Sequence, residues 1–138
     1  MFLRKTDSGR TMLPNLIDKK ASVAFDLGDV VIATSGQVDV AIGSSLSLLG
    51  LAVQKVTSAD SDYASTTSVQ VEQIDPTAVY VIDVSTGTAT VANIGGDYDL
   101  ANEYSITLSG TTYKQVHVVG VISTTQVLGK FNGAVCTF

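Results

Sequence analysis

The stretch VVIATSGQVDVA, Val30 to Ala41, decides how the chain is read. A β-rich run, Val30 to Thr34, meets the pair Ser35-Gly36. Beyond it Val38 and Val40 alternate with Gln37 and Asp39. Two short β runs around a glycine-containing pair specify a hairpin, because such turns need positive φ that glycine adopts without strain. SVAF and the turn DLGD precede it.

The same grammar extends along the chain. LLGLAVQKVTS reads as a strand, with Gly50 marking a bulge or a close backbone approach. TTSVQVEQI alternates, with Val69, Val71 and Ile74 on one face, and Asp75-Pro76 ends it because proline has no N–H for a ladder. VYVIDVSTGTATVANI, residues 79–94, reads as a second hairpin turning at Ser85-Thr86-Gly87. EYSITLSG, QVHVVGVIS and QVLGKFNGAVCTF supply further strands, and AIGSSLSLLG a loop or short helical turn. Strands at this spacing, with no helix long enough for a βαβ crossover, define a barrel or sandwich.

Composition agrees. The chain has 138 residues, 45% of them hydrophobic and 15% charged, which suits one folded domain with a real core. Val and Thr fit pleated, half-buried surfaces. The expectation is an all-β fold: a single small β-barrel or β-tulip-like domain over 21–138, with an extended N-terminal arm over 1–20.

Charge is divided between these parts. Residues 1–20 hold Arg4, Lys5, Arg10, Lys19 and Lys20 against Asp7 and Asp18, a net of +3; residues 21–138 hold three lysines against eleven acids, a net of −8. A basic arm before an acidic body suggests an arm that reaches a partner, with Leu13, Leu16 and Ile17 as apolar anchors. The acidic body would repel phosphates, so no nucleic acid is expected. No apolar run is long enough for a membrane helix, and the opening lacks a signal-peptide core, so a soluble protein made in the cytosol is expected.

Catalytic equipment is thin. The only histidine, His117, lies between Val116 and Val118 and so falls on the more polar side of a strand. One histidine and one cysteine, Cys136, do not make the common zinc sites. Cys136 reads as a packed thiol. No phosphate-binding loop, dinucleotide fingerprint or nucleophile elbow occurs. The carboxylates remain: Asp26 and Asp29 in FDLGDV, Asp60 and Asp62 in ADSDY, Asp97 and Asp99 in GGDYDL. D-x-D pairs can hold calcium, yet none here completes a calcium loop, and aspartate also serves turns by bonding backbone. Turn chemistry is preferred over a calcium site or a catalytic pair. GGDYDL is expected to turn at Gly95 or Gly96, with Asp97 and Asp99 on local backbone donors and Tyr98 or Leu100 inward. No cofactor and no metal is expected.

Three places, DLGDVVIAT, IGGDYDLAN and VVGVIS followed by QVLGKFN, resemble the capsid decoration (cement, head-stabilising) proteins of tailed bacteriophages. The resemblance covers about a quarter of the chain. It implies a structural virion protein without an active site, placed on the outer capsid surface, assembled in the host cytoplasm and commonly trimeric. Its partners would be the major capsid protein and sister copies. The capsid-contact residues would be Arg4, Lys5, Arg10, Leu13, Leu16, Ile17, Lys19 and Lys20. Removing residues 1–20 would then leave the body folded and abolish capsid binding. Two alternatives stay open: a β-module binding a glycan or calcium, and another virion part such as a head-fibre or tail subunit. A small hydrolase using two carboxylates is a further rival.

Overall fold

The structure, a computed structural model, describes residues 2–4 and 14–136. The chain is nearly all-β. Its strands are β1 (Phe2–Arg4), β2 (Pro14–Asp18), β3 (Val30–Thr34), β4 (Gln37–Val40), β5 (Leu48–Ala52), β6 (Ser68–Gln73), β7 (Tyr80–Thr86), β8 (Asp97–Asn102), β9 (Ser105–Thr107), β10 (Val116–Ser123) and β11 (Gln126–Phe131). Two single-turn 3-10 helices, Val91–Asn93 and Gly133–Val135, are the only helical pieces among the described residues.

One sheet runs β1-β7-β11-β10-β8-β9, and β9 returns to pair in parallel with β7. Strands β7, β11, β10, β8 and β9 therefore close into a five-stranded barrel. One edge of β7 takes β11; the other is shared by β1, at Tyr80 to Ile82, and β9, from Asp83 onward. The second sheet runs β2-β6-β5-β3-β4, all antiparallel. A parallel bridge between Lys19 and Val38 brings its two outer strands together.

Side-chain parity explains how the sheets share a core. Val31, Val38, Ala52, Val69 and Val71 fill the second sheet's own interior with Phe25 and Val56. The opposite faces, Val30 and Leu51 by parity and Leu48 through the register shift opposite Val31 and Ile32, join Ile74, Tyr80, Ile82, Leu100, Ile106, Val116, Val118, Val127 and Phe131 in the larger core. The continuous apolar runs VVI and LLGLA thus mark strands buried on both faces. Tyr80 and Phe131 meet edge-on inside the barrel, centroids 5.2 Å apart.

The β3–β4 hairpin forms as expected. Ser35 and Gly36 both have positive φ, 52° and 78°, the twist a two-residue connection needs. Gly50 is a close approach: a Cβ there would lie 2.4 Å from the Glu72 carbonyl oxygen, and the opposite strand slips register between Val31 and Ile32.

Three expectations are corrected. TATVANI is not the return strand of a hairpin; β7 takes its partners from β1, β9 and β11, and the segment after Gly87 ends in the 3-10 turn Val91–Asn93. Asp97–Asn102 is itself a strand, not a turn. Ile74 does not share a face with Val69 and Val71: it enters the larger core and they enter the second, since residue 74 has the opposite parity. Within the 1–20 segment, β2 pairs residue for residue with β6 from Pro14↔Glu72 to Asp18↔Ser68.

Candidate functional site

The GGDYDL segment was the first candidate, and each of its residues has an assignable task. Gly95 takes φ 88° and turns the chain into β8. Gly96 lies under Tyr98: a Cβ would fall 2.7 Å from the phenol oxygen, which accepts from Asn93 Nδ2 at 2.9 Å. Asp97 Oδ1 meets His117 Nδ1 at 3.0 Å and accepts from Asn132 Nδ2 at 3.1 Å. The Asn132 hydrogen bond, outweighing partial burial and aided by His117, holds the Asp97 carboxyl below its usual range. Leu100 enters the barrel core.

Asp99 is buried and turned toward a loop 13–15 residues ahead. Its Oδ2 accepts from Thr112 N at 3.0 Å, and its Oδ1 accepts from Tyr113 N and Lys114 N at 2.7 Å each. Three successive N–H groups, with Lys114 at φ 53°, form a concave anion nest that the carboxylate fills from within the chain. The donors are not the local ones expected, since they come from the loop that leads into the neighbouring strand β10. Asp97 and Asp99 therefore point to separate partners and do not form one cluster. Asp60 likewise accepts from Thr57 N at 2.7 Å, and Asp62 from Thr67 Oγ1 at 3.3 Å.

Gln115 was missed in the sequence. Its side chain is fully buried, Oε1 accepting from Leu100 N and Nε2 donating to the carbonyls of Gly43 and Ser45. It pins the 41–47 loop to the barrel. Nothing in the local pattern announces it, because its carbonyl partners lie 70–72 residues away and its donor Leu100 lies 15 away.

A second place gathers acids. A cleft of about 650 Å³ is lined by Asp26, Asp29, Asp83, Glu103, Lys55 and Tyr104, among others. The DLGD turn builds one wall: Gly28 adopts φ 83°, Asp29 Oδ2 accepts from Asp26 N at 2.8 Å, and Val30 N donates to the Glu103 carbonyl at 2.7 Å. Burial pushes Asp29 up to about 6, against that hydrogen bond; the Glu103 and Asp26 charges push the same way. Among the described residues no three His, Cys, Asp or Glu side chains gather closely enough to hold a metal ion.

The leader residues fall in different places. Leu16, in the middle of β2, is 69% exposed, and Ile17 packs half-buried against the second core. Lys20 is exposed and meets Asp39 Oδ2 at 3.0 Å. Lys19, expected to reach outward, is instead wholly buried, its Nζ donating to the Tyr63 and Ser65 carbonyls at 2.8 and 2.7 Å. Arg4 closes β1 opposite Tyr80. Lys5, Arg10 and Leu13 lie outside the described residues.

No protein-family model, curated protein or solved structure matches this chain.

Proposed function

We propose that this chain is a structural virion protein of the capsid-decoration kind. It binds the outer surface of a phage capsid, stabilises contacts between major capsid subunits, and does so as a homo-oligomer, a trimer by the resemblance. The observation that carries the reading is Leu16. This leucine stands exposed at the centre of strand β2, whose ladder among the described residues lies on the β6 side alone until the bridge at Lys19. An exposed aliphatic side chain on a one-sided strand edge suits a protein partner that adds backbone hydrogen bonds and buries the leucine. The internal use of Asp97 and Asp99 supports the reading, since neither carboxylate is left poised on a substrate.

The test is cosedimentation with empty shells of the major capsid protein. Leu16→Asp is expected to weaken binding about tenfold or more, because it sets a charge against apolar surface, while the melting temperature stays put. Undiminished binding by the folded variant would contradict the role of this edge. The ligand-binding alternative draws support from the cleft, which Tyr104 and four carboxylates line. A rise in melting temperature with a glycan panel or with Ca²⁺, abolished by Asp26→Asn with Glu103→Gln, would favour it.

A further inference from the structure

Among the stretches of this acidic chain without a charged residue are 84–96 and 118–129. They come together on one side of the barrel. Ala89 N donates to the Thr124 carbonyl at 2.9 Å, Gly95 N to the Val118 carbonyl at 2.8 Å, and Val118 N to the Gly96 carbonyl at 2.9 Å. These bonds, at either end, run 89–96 antiparallel alongside β10. Val91 and Ile94 are thereby brought level with Ile122 and Val119.

All four side chains face water. Val91 is 79% exposed, Ile94 47%, Val119 37% and Ile122 50%. Val116, Val118 and Val127 occupy the core, and the register shifts in β10 between Val118 and Gly120 and between Val121 and Ser123 leave Val119 and Ile122 outside, while Val91 and Ile94 are held out by the 3-10 turn. Leu128 stands opposite Gly120 and Val81 opposite Leu128, and the uncharged surface ends there, because Asp83 and Lys130 are the next outward residues of β7 and β11. Singly exposed apolar side chains are ordinary, but contiguous ones mark contact surfaces.

We propose that a second copy of this chain covers this wall. The charge distribution selects that occupant. The chain carries −5 overall, so two copies repel wherever their acids meet. The uncharged wall is where copies can approach without setting acid against acid. A basic partner would be drawn instead toward the acids around the cleft. The inference deepens the oligomer part of the proposed function and rests on that part alone; self-association through this wall stands even if capsid binding fails.

Sedimentation velocity of the full chain over a micromolar concentration series tests it. The wild-type chain is expected to sediment as a dimer or larger species, and Val91→Asp with Ile122→Asp to sediment as a monomer with unchanged far-ultraviolet circular dichroism. Leu16→Asp, on the other sheet, is expected to remain associated, which separates this wall from the capsid-facing edge. Should the aspartate pair depress folding, the milder Val91→Ser with Ile122→Thr is expected to weaken association about tenfold, because apolar burial at the contact is lost. A wild-type monomer across the series would overturn the proposal, as would a folded variant that stays associated.

Discussion

At the residue scale, Asp29 makes stability depend on pH. Its folded value, about 6, lies above its unfolded value, 3.8. The folded state therefore holds the proton more tightly across this window, so its contribution is fullest below pH 4 and declines as pH rises through 6. Asp29→Asn can keep the acceptor for Asp26 N while removing the buried charge. It is expected to raise stability at pH 7 by about 1–3 kcal/mol, and less as pH falls to 4. Urea unfolding of both proteins at several pH values measures this; an equal offset at every pH would contradict it. Gln115→Leu acts in the opposite sense. It strands Leu100 N and two carbonyls in a buried place and is expected to cost about 2–4 kcal/mol, read by the same unfolding curves. At Cys136, burial pushes the thiol up to about 11. Slow labelling of the native protein by a thiol reagent at pH 8, and fast labelling once it is unfolded, are the expected outcome.

At the scale of elements, the leader changes its standing. Deletion of residues 1–20 would take away β2, its five-residue pairing with β6, and the buried Lys19 that ties the carbonyls of Tyr63 and Ser65. The body is therefore expected to melt lower or aggregate after that deletion, rather than stay intact. Deletion of residues 1–13 spares β2 and is expected to be tolerated far better. Thermal melts of the two truncations decide the matter; equal stability would show that β2 contributes nothing. Gly50→Ala is expected to destabilise by more than about 1–3 kcal/mol, since its Cβ would meet backbone that cannot move aside cheaply. The sequence made such local features readable. The Ser35-Gly36 hairpin, the close approach at Gly50, the strand end at Asp75-Pro76 and the outward side of His117 all follow from period and turn chemistry within a few residues. What stayed hidden depends on distant partners. No local signal says that β7 pairs with β1, β9 and β11 rather than with the segment after Gly87. None says that Asp99 serves residues 112–114, or that Lys19 turns inward.

At the scale of the whole molecule, the two cores are built from opposite faces of the same strands. Val30 and Leu51 serve one core while Val31 and Ala52 serve the other. Neither core can open without disturbing β3 and β5. Unfolding is therefore expected as one cooperative transition, with near- and far-ultraviolet circular dichroism curves superimposing. Two separated transitions would show that the sheets hold themselves up independently. The proposed function rests on surfaces: an exposed strand edge at Leu16, an uncharged apolar wall at Val91 and Ile122, and aspartates spent on internal donors. A cryo-electron microscopy map of the assembled particle tests it most directly. We predict density for this two-sheet fold in contacting copies on the outside of the shell, with β2 against the major capsid protein and the Val91–Ile122 wall between copies. Particles whose outer face carries no density for this chain, although the chain was present in excess, would contradict it.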